Sequence, residues 1–297
     1  MSVSWSRLIR FVATDGRTLR GEPILPSPDF DLGQTTEATG LKAKVIQGED
    51  IYDTTGATKV TDEVVTVKTL LGPLAQSDVP ILRCIGLNYA THIKETGRKV
   101  PNYPFMFFKP TTCVHDHGVN VVIPKIAQSA GPDYEGELCV IIGKDAKDVS
   151  EKDAFDYVAA YTAGNDLSSR KLQRDPELAG PVPQWGFSKG FDTYAPLGPA
   201  LVSSRILPEP AKLYLTTTVD GELRQSSGVD DLLFDIPCII SYLSSGTTLQ
   251  KGSVIMTGTP GGVGSGQKPE PKYLRPGTNM EVHITGIGTL KNGVDFA

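Results

Sequence analysis

The chain has 297 residues, of which 39% are hydrophobic and 21% charged, with a formal net charge of −5. This composition is typical of a folded globular protein and excludes a disordered one. The acidic balance excludes a polyanion-binding surface, so we expect no nucleic-acid partner. There is no run of about 18 apolar residues, so we expect no membrane span. The four cysteines form no CxxC pair, which predicts reduced thiols of an intracellular protein.

The first residues predict a β-hairpin. Leu8–Ala13 forms one strand, Asp15-Gly16 is a strong two-residue turn, and Arg17–Arg20 returns. The alternative is a mitochondrial presequence, because the segment carries arginines and its first acid is Asp15. We favour the hairpin, and with it a cytoplasmic location, because a cleaved leader has no use for the turn.

Residues 1–75 predict a small β-rich accessory module of short strands and turns. Strands are expected at Lys42–Gln47 and Val64–Val67. The polar stretch Ala75–Pro80 marks a boundary, so that residues 76–297 form a second, larger domain.

The larger domain reads as strands separated by a few short helices, which predicts an α+β fold that is mostly β. Strands are expected at Ile81–Leu87, Pro104–Lys109, Tyr134–Gly143, Val158–Gly164, Lys212–Val219, Glu222–Gln225, Ser253–Thr257 and Met280–Thr285. Helices are expected at Asn88–Gly97, at Ser150–Tyr157 with Ser150 as N-cap, and at Pro237–Ser244.

Three carboxylates form the first candidate site: Glu135, Glu137 and Asp166. Residues i and i+2 of a strand share a face, so Glu135 and Glu137 lie side by side next to the apolar run Leu138–Ile142. Ionising both is costly there, and a divalent cation resolves the conflict. Oxygen ligands select Mg²⁺, Mn²⁺ or Ca²⁺ over zinc. The alternative is that the glutamates face solvent on an edge strand and Asp166 caps a helix.

A second candidate site is the pair His92 and Glu95, at i and i+3 of a predicted helix. A carboxylate beside an imidazole orients the ring and raises its basicity, which suits a general acid/base near neutral pH. The alternative is a solvated helix face on which Glu95 is an ordinary surface charge.

Three further side chains suit substrate binding. Lys189 lies among aromatic residues and glycines, where it would hold a carboxylate or stabilise an enolate. Arg170 and Gln173 follow Asp166 and would share its face of a helix. The alternative for each is an ordinary surface residue.

Two other patterns carry less chemistry. The glycine-rich loop 258–266, which contains Thr259, lacks the ending of a phosphate loop, although its backbone N–H groups would still cradle an anion. His115 and His117 resemble a metal pair but have no partner at metal-site spacing, so we expect a loop there.

These signals occur in one order, and that order resembles the fumarylacetoacetate hydrolase (FAH) superfamily. The resemblance is to its FAH-domain-containing group of acylpyruvate hydrolases, oxaloacetate decarboxylases, isomerases and tautomerases. The matching stretches are Gly86–His92, Phe108–Pro110, Asp133–Leu138, Asn165–Arg170, Trp185–Phe191 and Met256–Pro260.

The resemblance implies a role for each candidate residue. It implies three metal ligands for Mg²⁺ or Mn²⁺ (Ca²⁺ being the alternative), an acid/base dyad on a lid over the substrate, a catalytic lysine and three substrate-binding residues. The metal ligands are Glu135, Glu137 and Asp166, and the acid/base dyad is His92 and Glu95. The catalytic lysine is Lys189, and the substrate-binding residues are Arg170, Gln173 and Thr259.

The resemblance also implies a mixed β-sheet roll, a homodimer and an accessory module like that of longer members. Many members carry Arg where this chain has Leu87, which removes a substrate contact at that position and points to a different acid.

The implied activity is that of a metal-dependent enzyme acting on a small 2-oxo acid. Hydrolysis of a C–C bond in an acylpyruvate of the fumarylpyruvate type comes first. Oxaloacetate decarboxylation or enol–keto tautomerisation in the same site comes second, because all three reactions pass through an enolate. A metal-stabilised binding protein without turnover is the alternative of another class, and the pair His92 and Glu95 argues against it.

Overall fold

The structure is a computed structural model that describes residues 3–95 and 99–297, without the side chain of Glu95. The strands are β1 (Arg7–Ala13), β2 (Thr18–Ile24), β3 (Lys42–Gln47), β4 (Lys59–Leu70), β5 (Leu82–Gly86), β6 (Phe105–Lys109), β7 (Val114–His115), β8 (Val121–Ile123), β9 (Pro132–Asp133), β10 (Gly136–Ile142), β11 (Val158–Asn165), β12 (Ser168–Ser169), β13 (Ala195–Ser203), β14 (Tyr214–Val219), β15 (Glu222–Gly228), β16 (Val254–Met256), β17 (Asn279–Ile284) and β18 (Gly288–Phe296). The α-helices are α1 (Ala90–Glu95), α2 (Arg170–Arg174), α3 (Pro176–Ala179), α4 (Trp185–Lys189) and α5 (Ile236–Ser244).

Two mixed sheets contain most of the strands of the described chain. The larger has the order β2-β3-β4-β1-β13-β11-β10-β16-β5-β6, with β7 beside β13. The smaller has the order β15-β14-β17-β18-β8, and β9 pairs separately with β12. Apolar side chains of β10 and β11 share a core with those of β14, β17, β18 and α5. This arrangement confirms the predicted α+β fold that is mostly β.

The central strands β10 and β11 position the predicted acidic residues. Every residue of both strands is buried, as the apolar run from Leu138 to Ile142 requires. Their antiparallel register pairs Glu137 with Gly164, and just beyond it the backbone N–H of Asp166 donates to the carbonyl of Glu135 at 2.8 Å. The sheet itself therefore brings Glu135, Glu137 and Asp166 to one place.

The N-terminal hairpin is confirmed, since β1 and β2 pair across the predicted turn. Strand β3 has its predicted bounds, whereas β4 is longer than predicted. The first strand also pairs with β13 through Arg7 and Leu8, so strands of the N-terminal module extend the large sheet. The division into residues 1–75 and 76–297 stays a prediction.

The helix predicted at Ser150–Tyr157 is present, but it is not an α-helix. Residues Glu151–Tyr157 form a 3-10 helix. Ser150 is its N-cap residue, but its hydroxyl bonds to the Asp153 carboxylate at 2.7 Å and does not cap the backbone. The predicted end of α1 at Gly97 lies outside the described residues. No helix of the described ranges has the length and apolar character needed to cross a membrane. All four cysteines are free, as predicted.

The two histidines of the His-x-His pattern serve the fold. His115 ends β7, and its Nε2 atom lies 3.0 Å from the carbonyl oxygen of Asn120. His117 lies in the loop that follows, where its Nδ1 accepts from the backbone N–H of Lys291 at 3.2 Å. Neither belongs to the acidic cluster of Glu135, Glu137 and Asp166.

Buried His117 predicts a loss of stability in mild acid. Burial, with a smaller effect of Lys291, lowers the pKa of His117 from 6.5 to about 4. The unfolded chain therefore takes up a proton as the pH falls below about 6.5, whereas the folded chain does not until about pH 4. This difference costs about 2 kcal/mol of folding free energy at pH 5.

The variant His117→Asn keeps an acceptor for Lys291 but cannot take up the proton. Chemical unfolding at pH 7 and pH 5 should show that the free energy of unfolding falls by about 2 kcal/mol less in the variant than in wild type. Equal losses in the two proteins would contradict the assignment.

Candidate active site

The acidic cluster lies in the interior of the protein. Glu135, Glu137 and Asp166 each place a carboxylate oxygen within 4.8 Å of the others, and at most 7% of each residue is exposed. The alternative of glutamates facing solvent on an edge strand is therefore wrong. Asp166 does not cap a helix either, because the N-cap of α2 is Ser169. Three buried carboxylates at such distances repel one another and favour a cation between them.

Two buried lysines hold this cluster from within the protein. Lys189 Nζ donates to Glu135 Oε2 at 2.8 Å, to Asp166 Oδ2 at 2.7 Å and to Ser168 Oγ at 2.5 Å. Lys109 Nζ donates to Asp166 Oδ1 at 2.5 Å and to the Tyr194 carbonyl at 2.7 Å. Both oxygens of Asp166 are thus fixed, which sets the plane of its carboxylate.

The charges of the cluster act on one another strongly. Burial alone would raise the pKa of Glu135, but Lys189 and Arg170 outweigh it and lower that pKa to about 2. Burial, together with the charges of Asp166 and Glu135, raises the pKa of Glu137 well above its ordinary value. Lys189 stays cationic, because Asp166 and Glu135 raise its pKa against the effect of burial. Of the three carboxylates, Glu137 is therefore the one whose ionised form the other two destabilise.

A fourth carboxylate, Asp133, was not among the predicted site residues. Its Oδ1 accepts from the backbone N–H of Tyr134 and of Gly264, and its Oδ2 accepts from Arg170 Nε and the backbone N–H of Ser265. The glycine-rich loop therefore does cradle an anion, and that anion is a side chain of the same chain. Asp133 ties the loop to Arg170.

Lys109 was missed as well, although its strand carried a signal. Alternation along Phe105–Lys109 places Lys109 on the same face as Phe107, and a lysine on a buried strand face requires a carboxylate partner. The structure supplies that partner as Asp166.

A cavity of about 150 Å³ opens beside the cluster. Four predicted site residues besides the two glutamates line it, whereas Lys189 and Asp166 contact Glu135 without belonging to the lining. The lining consists of Ile85, Gly86, Leu87, His92, Glu135, Glu137, Arg170, Gln173, Arg174, Trp185, Thr259, Val263, Ser265 and Gly266. Glu95 ends α1, and its side chain lies outside the described part of the chain.

Arg170 and Gln173 reach the cavity by a different route from the one predicted. Asp166 precedes the short strand β12, and α2 begins only at Arg170, so Asp166 does not share a helix face with them. Arg170 Nη1 donates to Glu135 Oε1 at 2.5 Å. Its Nη2 and the Nε2 of Gln173 are buried donors that find no acceptor among the described residues. Two such donors in one cavity suit an anionic ligand.

Thr259 lies at the edge of the glycine-rich loop and is fixed on both sides. Its hydroxyl donates to the Gly136 carbonyl at 2.9 Å and accepts from Gln225 Nε2 at 2.7 Å. Gln225 in turn accepts from the backbone N–H of Gly136, next to both glutamates. The loop and β10 thus hold a constant spacing across the cavity.

Known proteins resemble this chain over most of its length. Caffeoylpyruvate hydrolase of Neonothopanus nambi is 40% identical over 99% of this chain and 94% of its own. Oxaloacetate tautomerase YisK of Bacillus subtilis is 42% identical over 71% of this chain and 68% of its own. The crystal structure of a 2-hydroxyhepta-2,4-diene-1,7-dioate isomerase from Mycobacterium marinum superposes with a TM-score of 0.75 at 30% identity, over 99% of both chains.

The family described as fumarylacetoacetate (FAA) hydrolase C-terminal matches residues 82–295. This range contains the acidic cluster, both lysines and the whole lining of the cavity. The resemblance found in the sequence is thereby confirmed, and the chain belongs to the fumarylacetoacetate hydrolase family of enzymes.

Proposed function

We propose that this protein is a divalent-metal-dependent hydrolase that cleaves a C–C bond of an acylpyruvate. The observation that carries the proposal is the buried cluster Glu135, Glu137 and Asp166, of which the two glutamates line a cavity that also presents two unsatisfied donors. A carboxylate cluster beside anion-binding donors suits a substrate with two adjacent oxygen functions, such as a 2-oxo acid.

The donor set fits a hard dication. Glu135, Glu137 and Asp166 offer oxygen atoms only, which favours Mg²⁺ or Mn²⁺. Lys189 and Lys109 pair with the carboxylates of Glu135 and Asp166. Glu137 is left with a raised pKa, so a bound dication would stabilise its ionised form. When bound, such an ion polarises the carboxylate and 2-oxo oxygens of the substrate and favours its enolate.

The remaining residues of the cavity orient the substrate. Arg170 Nη2 and Gln173 Nε2 donate to the substrate carboxylate, which satisfies both buried donors. Thr259, held by Gln225 and Gly136, marks the opposite limit of the polar region. Lys189, which contacts Glu135 and Asp166 from outside the cavity lining, adds positive charge that favours the developing enolate.

His92 moves the protons of the reaction. It lines the cavity on α1, and we assign it the removal of a proton from the attacking water. The hydroxyl adds to the distal carbonyl carbon of the acyl group, and the C–C bond then breaks. One product is a carboxylic acid, and the other is the enolate of pyruvate, which takes the proton back at carbon. Glu95 is proposed to orient the His92 ring.

The relatives support this activity and a second one. The similarity to a caffeoylpyruvate hydrolase extends over nearly the whole chain, which supports an acylpyruvate as substrate. The relative named oxaloacetate tautomerase supports enol–keto tautomerisation as the second candidate, because the same enolate needs only a proton returned at another atom. A cytoplasmic location, supported by the four free cysteines, and a homodimer complete the proposal.

Removing the charge of Glu137 should affect the thermal stability of the metal-free protein and its metal binding in different ways. The variant Glu137→Gln relieves repulsion inside the cluster but loses a metal ligand. We expect its Tm in EDTA to be at least that of wild type, whereas added Mn²⁺ should raise the Tm of wild type only. Pyruvate release should be lost in the variant and, with EDTA, in wild type.

The exposed Glu49 provides the control, because Glu49→Gln makes the same chemical change at a residue outside the cavity lining. It should behave as wild type in both measurements. An unchanged Mn²⁺ response in Glu137→Gln, or full activity in EDTA, would refute the metal site.

Replacing His92 tests the proton-transfer step. The variant His92→Ala should lower kcat for pyruvate release by about 10²–10⁴-fold, the usual contribution of a general acid/base, with its Mn²⁺-dependent Tm shift retained. The assay follows pyruvate together with the loss of enol absorbance, so that cleavage and tautomerisation are told apart. A kcat within about threefold of wild type would remove His92 from the mechanism.

A further inference from the structure

The lining of the cavity contains an apolar wall that the proposed mechanism does not use. Gly86, Leu87 and Trp185 belong to it. A Cβ atom at Gly86 would lie only 2.7 Å from Trp185 Cζ3, so the missing side chain lets the indole rest directly on the strand. Gly86 thereby brings Leu87 and Trp185 together into one surface.

The indole is fixed by its aromatic neighbours. Trp185 meets Phe105 edge to face at 4.7 Å between ring centroids and Phe107 at 5.4 Å. Contacts of this kind hold a ring in one orientation. The part of Trp185 that reaches the cavity is therefore a preformed flat surface.

Leu87 is held in a backbone conformation that leucine rarely adopts. Its φ angle is 57°, in the left-handed region. The next residue, Asn88, is buried and anchors the backbone there: its side chain donates to the carbonyls of Phe234 at 3.0 Å and Thr257 at 2.8 Å and accepts from the Phe234 N–H. Strain that the surroundings enforce is found most often at ligand sites. Leu87 is thus kept at the cavity by a buried amide.

The charged part of the lining is already committed. Arg170 is bound by Asp133 and Glu135, and its remaining donor, Nη2, is assigned to the carboxylate at the 2-oxo acid end. The other guanidinium group of the lining, Arg174, lies in an exposed position where water screens its charge. The Lys189 ammonium lies 5.5 Å from the centre of the Trp185 ring, but it is already paired with Glu135 and Asp166. A second carboxylate on the substrate would therefore lose water against Leu87 and Trp185 without gaining an unpaired, unscreened cation.

From this wall, and on the basis of the proposed function, we infer that the acyl group of the substrate is uncharged, apolar and planar, and that Leu87 determines this specificity. The 2-oxo acid end occupies the polar half of the cavity. The acyl end lies against Leu87 and Trp185, where a conjugated or aryl group stacks on the indole.

The test compares two acylpyruvates that differ at the acyl end. Pyruvate release is measured with Mn²⁺ on benzoylpyruvate, which ends in a phenyl ring, and on fumarylpyruvate, which ends in a carboxylate. Wild type should favour benzoylpyruvate in kcat/KM by at least about tenfold. Leu87→Arg should reduce that ratio by at least about tenfold, and the volume-conserving Leu87→Met should preserve it.

Other outcomes overturn either the inferred specificity or the proposed hydrolase activity. A wild-type preference for fumarylpyruvate, or a ratio in folded Leu87→Arg within about twofold of wild type, overturns the specificity while the hydrolase stands. Absence of pyruvate release from both substrates overturns the proposed function and this inference with it. If Leu87→Arg does not fold, the wild-type ratio and Leu87→Gln, which should also lower the ratio, decide the question.

Discussion

The structure depends on keeping several carboxylates together out of water. Burial and mutual repulsion would each drive such groups to their neutral form, and only specific counter-charges prevent this. Lys189 and Lys109 fix Asp166, and Arg170 and Lys189 fix Glu135. Glu137 is left as the carboxylate whose pKa is raised, which makes it the group that gains most from an added dication.

The same arrangement explains how one cavity can be both rigid and adaptable in its chemistry. Asp133 joins the glycine-rich loop to Arg170, and Arg170 in turn contacts Glu135, so hydrogen bonds connect the loop and α2 directly to the acidic cluster. The reacting end of the proposed substrate would therefore meet a fixed set of oxygens and donors. Hydrolysis and tautomerisation through a common enolate differ only in whether water attacks or a proton returns. Substrates of the two reactions can therefore share the 2-oxo acid end and differ in the acyl group.

The sequence predicted the positions of the strands better than the hydrogen-bond partners of the side chains. The alternation and apolar runs of β3, β6 and β10 placed these strands within a few residues, and the i, i+2 spacing of Glu135 and Glu137 predicted their common face. The partners of Asp133 could not be predicted, because the backbone N–H groups of Gly264 and Ser265 lie far from it in the chain. Local spacing likewise placed Asp166 on a helix that starts only at Arg170.

The position of a bound metal ion tests the proposed metal site most directly. Anomalous diffraction from crystals grown with Mn²⁺ should show one peak about 2.2 Å from carboxylate oxygens of Glu135, Glu137 and Asp166. The Lys189 ammonium should give up at least one of its two carboxylate contacts in that crystal. A map without a peak among these three residues, with both Lys189 ion pairs intact, would contradict the central claim.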